Sequence, residues 1–319
     1  MVKLAYLDVQ FDNSSATYLA GQRISGNLLI NSDQPLPVRQ LYILFIGETR
    51  TYWVNKTSDK IYESNQVHFN ARVDLPLGSE RLTPDGTLIP GPQSLPFSYD
   101  LPPGIPSSFS DEYGCTRYLC SVKVELNPAA VNCIPGFADS GSEFRVDKPL
   151  TVFALCGPSG NPQANEPVQR SDHAEVVGCL RNKGTVSTSL SVVKSEFSVG
   201  EKISGQLSIT NGSTTAVKSV DVMLMQHVVF RATSRYEGAQ DQKEVVRTME
   251  AERFGPVPKG NERTWTLQLR IPPIPPTEGF GRNLINISYF IRASSKMGVD
   301  ITVPIAIIST GSSGVQAAK

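Results

Sequence analysis

Three histidines and five cysteines are the side chains of this 319-residue chain best suited to general-base, nucleophilic or metal-ligating chemistry. His68, His173 and His227 stand far apart, and none has a second His or Cys at the spacing of a zinc site. His68 lies in the strand-like Gln66-Val67-His68-Phe69, and His227 follows the alternating run Val220–Met225. Cys115 and Cys120 do not form a Cys-x-x-Cys pair, and no Gly-rich phosphate loop or Gly-x-Ser-x-Gly elbow occurs. Cys120 shares a face with Val122 and Val124, the setting of a core thiol rather than a nucleophile. The cysteines at 115, 120, 133, 156 and 179 follow no disulfide framework and read as reduced thiols. The sequence therefore assigns no catalytic, cofactor-binding or metal-ligating residue, and no enzyme is expected.

Charge narrows the partners further. Thirty Lys+Arg balance 30 Asp+Glu, so the basic surplus that phosphate attraction requires is missing and nucleic acid is not expected as a partner. Hydrophobic residues at 39% support packing, which argues against an acidic disordered chain. No stretch approaches the ~18 continuous apolar residues of a membrane span. Met1-Val2-Lys3-Leu4 leads straight into alternating residues without an apolar signal region, which suggests an intracellular protein.

What must position any functional residue is an internal repeat. Residues 20–30 read AGQRISGNLLI and residues 199–209 read VGEKISGQLSI, with Gly21, Gly26 and Ile30 each 179 positions before Gly200, Gly205 and Ile209. A shift this long means two related domains rather than a solenoid. Within each copy the period is two. Ile24, Leu28 and Ile30 share a face, as do Leu41, Ile43 and Phe45; the second copy gives Ile203, Leu207 and Ile209, then Val220, Val222 and Leu224. Val122, Val124 and Leu126 alternate in the same way, and so do Trp265 to Ile271, Ile285 to Ile291 and Ile301 to Ile307. Such alternation predicts strands with one buried and one wet face. The fold class is all-β, two tandem immunoglobulin-like antiparallel β-sandwiches.

Pro-rich segments at Leu101–Pro106 and Ile271–Pro276 take matching places in the two halves, where they should leave the sheet and cross between strands. Gly21 and Gly200 are expected at turns, and Gly26 and Gly205 at gaps filled by a facing side chain or a bulge. The expected boundaries are an N-terminal domain over 1–156, a linker over 157–171, a C-terminal domain over 172–310 and a disordered tail over 311–319. The stretch Gly78–Ser94 reads as a loop or paired short strands.

At this point the residues resemble a known family. Gly21-Gln22-Arg23-Ile24-Ser25-Gly26, Phe45-Ile46-Gly47-Glu48-Thr49 with Trp53, Leu95-Pro96-Phe97-Ser98-Tyr99, and Tyr113-Gly114 with Arg117-Tyr118 are similar to the N-terminal domain of arrestin domain-containing proteins, the α-arrestins. Val199-Gly200-Glu201-Lys202-Ile203, Asn211-Gly212-Ser213, Ile271-Pro272-Pro273 and Val303-Pro304-Ile305 resemble the family's C-terminal domain. No amphipathic stretch for the short helix of visual and β-arrestins precedes Asp111, and the first strand carries Lys3 alone rather than a lysine pair.

The resemblance implies the arrestin fold and a trafficking adaptor. Such a protein binds cytoplasmic parts of membrane receptors or transporters and links them to endocytic or ubiquitylation machinery, itself cytoplasmic and recruited peripherally to plasma membrane or endosomes. Many α-arrestins carry Pro-Pro-x-Tyr motifs that dock on ubiquitin-ligase WW domains. Here the Pro-Pro pairs are followed two residues on by Ile105, Pro275 or Glu278, never by tyrosine, so a ligase would need another route. The alternative is a non-catalytic arrestin-fold scaffold, retromer-like or signalling, that binds soluble partners. The sequence leaves the partner-binding residues unknown. Arg39, Lys123 and Lys218 on wet strand faces, the loop Asn55–Lys60, and strand addition at a sheet edge are the options it offers.

Overall fold

A computed structural model describes residues 4–75, 87–127, 143–177, 182–278 and 283–309. Cys133, Cys179, the tail 311–319 and the first part of the Gly78–Ser94 stretch lie outside these residues. The chain divides into two compact units, residues 1–52 with 63–153, and residues 53–62 with 154–319.

The first unit is built from β1 (Leu4–Phe11), β2 (Thr17–Leu19), β3 (Arg23–Ser32), β4 (Leu36–Val54), β5 (Ile61–Asp74), β6 (Thr87–Leu88), β7 (Gly91–Asp100), β8 (Phe109–Asp111), β9 (Gly114–Leu126) and β10 (Glu143–Phe153). A three-stranded sheet in the order β1-β3-β7 accompanies a second run in the order β5-β4-β9-β10-β2. The alternation predicted from sequence determines what they bury. Ile24, Leu28, Ile30, Ile43, Phe45, Val122 and Val124 are each 1% exposed or less, and burying one such aliphatic side chain is worth about 1.5–3 kcal/mol. Phe45 stacks on Tyr99 with centroids 4.5 Å apart, and Phe69 stacks on Tyr118 at 5.7 Å.

The second unit contains β11 (Val168–Val177), β12 (Asn182–Val192), β13 (Glu196–Ser198), β14 (Lys202–Asn211), β15 (Val220–Ser234), β16 (Gln240–Phe254), β17 (Glu262–Arg270), β18 (Ile285–Ser294) and β19 (Asp300–Ile308). Its sheets run β11-β12-β14-β17 and β16-β15-β18-β19-β13. Ahead of β11, residues Pro162–Asn165 form one 3-10 turn. Val186, Leu190, Ile203, Leu207, Val222, Leu224, Ile287 and Val303 fill the core between the two sheets.

The repeat extends to individual hydrogen bonds. Gly21 and Gly200 adopt φ of +80° and +82°, the left-handed turn geometry that favours glycine. After each, the N–H of Gln22 or Glu201 donates back to Leu19 or Ser198 at 3.0 Å, and the same side chain accepts from that residue's N–H at 2.9 or 2.8 Å. The Pro-rich segments leave their sheets as expected and are pinned on return. Ser108 exchanges backbone and hydroxyl hydrogen bonds with Val152 (2.7 and 2.9 Å), and Thr277 does the same with Ile307 (2.7 and 2.8 Å).

One expectation needs correction. Gly26 and Gly205 leave room not for a facing side chain but for the backbone of the adjacent strand. A Cβ at Gly26 would lie 2.3 Å from the Gln10 carbonyl oxygen, and one at Gly205 would lie 2.1 Å from that of Ser191.

Candidate partner-binding edge

The residues that sequence singled out for chemistry fall on separate elements. His68 on β5 meets the Thr49 hydroxyl at 2.7 Å, His173 on β11 meets Ser187 at 2.8 Å, and His227 on β15 meets Glu244 at 3.0 Å. Burial lowers the His68 pKa. Cys120 is fully buried, and burial, reinforced by Asp147, pushes its thiol up to about 12. A thiol that rarely ionises is a core residue, as its alternation indicates. Among the described residues no three His, Cys, Asp or Glu side chains converge on a metal-sized site, and no helix is long and apolar enough to cross a membrane.

Nor do the three basic residues form a patch. Lys123 pairs with Glu143 at 3.0 Å, and beside it Arg145 pairs with Asp147 at 2.8 Å. On the same face Arg72 lies 3.8 Å over the Tyr42 ring, whose hydroxyl donates to Glu125 at 2.7 Å. Carboxylates interleave with the cations, so this face has no net basic field. Arg39 and Lys218 are exposed in different units. The loop Asn55–Lys60 groups with the second unit, where Lys60 pairs with Glu237 at 2.7 Å.

The sheet edge is what remains, and the two copies differ there. In the second unit β12 is the counterpart of β1. The register Val192↔Gly205 repeats Phe11↔Gly26. The N–H of Val193 donates to Ser204 at 3.0 Å, so the odd-numbered residues of β12 bond β14 and the even-numbered ones face β11. There Val186, Thr188, Leu190 and Val192 pair with Ala174, Asp172, Arg170 and Val168. In the first unit the Asp12 N–H donates to Ser25 at 3.0 Å, so the even-numbered residues of β1 bond β3. Leu7 and Val9 therefore direct their backbone groups toward the edge that β11 occupies in the other copy. Among the described residues no strand pairs with that edge of β1.

Asp8 guards this edge. Its carboxylate receives Lys148 of β10 at 2.6 Å and the Tyr6 hydroxyl at 3.1 Å. Partial burial raises the pKa of Asp8, but Lys148, the Val9 N–H and Tyr6 together outweigh burial and hold it below the usual carboxylate value. An exposed run of unpaired backbone groups is a strand acceptor. Here one carboxylate stands beside it, and one lysine holds that carboxylate.

Residues 7–134 match the family model for arrestin (or S-antigen), N-terminal domain, and residues 182–312 match the model for the C-terminal domain. Arrestin domain-containing protein 17 of Caenorhabditis elegans is 28% identical over 319 residues, spanning 96% of this chain and 71% of that protein. Arrestin domain-containing protein 15 of the same organism is 26% identical over 303 residues, 92% of this chain and 76% of that one. Human arrestin domain-containing protein 1 is 22% identical over 311 residues, 96% and 65% of the respective lengths.

Proposed function

The chain belongs to the arrestin family, of the arrestin domain-containing type, and we propose that it is a non-catalytic trafficking adaptor. In this reading it binds cytoplasmic segments of membrane receptors or transporters and links them to endocytic sorting or ubiquitylation machinery. Two arrestin-like domains, the second taking in all of β11 from Val168, supply the scaffold. The observation that carries the reading is that the edge of β1 is open where the corresponding edge of β12 in the other copy is covered. The second copy shows what fits: an extended antiparallel segment paired through Leu190 and its even-numbered neighbours. An extended cytoplasmic tail has the same backbone, and strand addition reads it without requiring one sequence. Lys148 favours a tail with a carboxylate or phosphate group, which would replace Asp8 as its counter-ion.

The Pro-Pro pairs of this chain sit in the crossover segments, where they serve the fold rather than a ligase. Proximity labelling in cells tests the proposal, comparing the chain with a Leu7→Pro variant that removes one outward N–H from β1. Enrichment of plasma-membrane and endosomal receptors or transporters, lost in the variant, is the expected result. Labelling of soluble proteins alone would favour the arrestin-fold scaffold instead.

A further inference from the structure

The copies also treat the opposite edge of their smaller sheets differently. In the first unit Leu101 N–H donates to Gln22 at 3.0 Å, continuing the register Arg23↔Asp100, so the odd-numbered residues of β7 bond β3. Pro92, Ser94, Pro96, Ser98 and Asp100 face outward, and two of those five have no N–H to offer. Proline at outward positions is a device that blocks edge pairing.

In the second unit the counterpart edge carries no such block. Asn211 N–H donates to Asn261 at 2.9 Å and Ile271 N–H to Glu201 at 3.0 Å, fixing the register at both ends of β17. Glu262, Thr264, Thr266, Gln268 and Arg270 therefore turn their backbone groups outward, and all five are exposed. Among the described residues, the hydrogen bond recorded at this edge is a long 3.4 Å contact from Gln268 N–H to the Glu252 carboxylate of β16, whose Phe254 ring lies 5.7 Å from that of Trp265.

We propose that β17 pairs antiparallel with β17 of a second copy of this chain, centred on Thr266. Three features of the strand select that occupant. In this register every outward residue meets an outward residue: Thr266 meets the partner's Thr266, Thr264 meets the partner's Gln268, and Glu262 meets the partner's Arg270. The parity needed for hydrogen bonding is satisfied throughout. Trp265, Leu267 and Leu269 stay on the core-facing side in both copies.

Charge is the third feature. Within one chain Arg270 lies directly across from Lys202 of β14, a like-charge pair, and neither Glu262 nor Arg270 has an ion-pair partner among the described residues. Self-pairing brings a carboxylate to each Arg270 and a guanidinium to each Glu262.

Sedimentation velocity on the full chain, from micromolar to near-millimolar concentration, tests this. A concentration-dependent dimer is expected. Thr266→Pro, which removes the central outward N–H, should leave a folded monomer by circular dichroism. E262R and R270E should each weaken dimerisation roughly tenfold, since two attractive cross-strand pairs become repulsive. R270E puts a carboxylate across from Lys202, so that chain should be no less stable as a monomer. The double variant E262R/R270E, or an equimolar mixture of the two single variants, should recover wild-type affinity. A chain monomeric at every concentration overturns the proposal, and so does a dimer indifferent to these substitutions or a failed charge-swap rescue. A monomer that loses a peptide ligand on Thr266→Pro would assign the edge to a different polypeptide, and would also overturn self-pairing.

Discussion

The hydroxyl of Tyr118 donates to the carbonyl oxygen of Pro106 at 2.6 Å. The second copy repeats the bond between Tyr289 and Pro275 at 2.7 Å. Each ties a buried sheet residue to the Pro-rich crossover that precedes its strand, a segment that lacks the N–H groups to hold itself to a ladder.

Tyr118→Phe and Tyr289→Phe should therefore each cost about 1–3 kcal/mol, because a buried carbonyl loses its donor while the ring stays in place. At Tyr289 the loss should be the larger. Gln226 donates to that hydroxyl at 2.9 Å and would be left unsatisfied as well. Urea unfolding of the single variants measures both, and unchanged midpoints would mean that water takes over the bond.

Gly26→Ala and Gly205→Ala should destabilise by about 1–3 kcal/mol or more, as overpacking against a backbone that cannot retreat. The obstacle at each is a carbonyl oxygen of the paired strand, 2.3 and 2.1 Å from the new methyl. Gly157→Ala meets nothing within 4 Å and is the matched control. Thermal unfolding of the three variants should separate the first two from the third.

Burial depresses the pKa of His68 below its ordinary value of 6.5, so the unfolded chain takes up this proton more readily than the folded one. Its contribution to stability is present above about pH 6.5 and falls as pH drops below it. Urea midpoints should fall between pH 7 and pH 5, and His68→Gln should flatten that slope. A slope unaffected by the substitution would shift the effect to other groups.

Asp8→Asn should raise affinity for an acidic extended peptide by about fivefold, and Lys148→Ala should lower it similarly. The first frees Lys148 from its counter-ion, and the second removes the cation an incoming acid would meet. Fluorescence anisotropy with a phosphoserine peptide reads both, and affinity should fall with added salt. Equal affinities across the three proteins would remove the β1 edge from the binding surface.

Most of the fold is legible in the sequence because burial and strand period coincide. Ile24, Leu28 and Ile30 alternate with wet residues, and the structure buries all three. Strand β11 is not legible in the same way. Its core-side positions include Arg170 and Asp172, which stay exposed, so no period-two apolar signal marks it, and part of it falls within the stretch read as linker. Missing β11 hides the proposed edge too, since the openness of β1 shows only by contrast with its covered counterpart. The basic residues mislead for another reason. Lys123 reads as a free cation along the chain, while its partner Glu143 comes from the next strand.

Gly47 occupies the position that Gln226 holds in the other copy, and the two residues are not interchangeable. The rings of Phe69 and Tyr118 stand 2.5 and 2.7 Å from where a Gly47 side chain would begin, whereas the Gln226 amide serves Tyr289. A glutamine in the first copy would drive into two rings, and a glycine in the second would strip a buried hydroxyl of its neighbour. Exchanging β4 for its counterpart without β5 and β9 would therefore split a matched set of side chains. Each copy is thus a unit whose strands fit one another and not their counterparts.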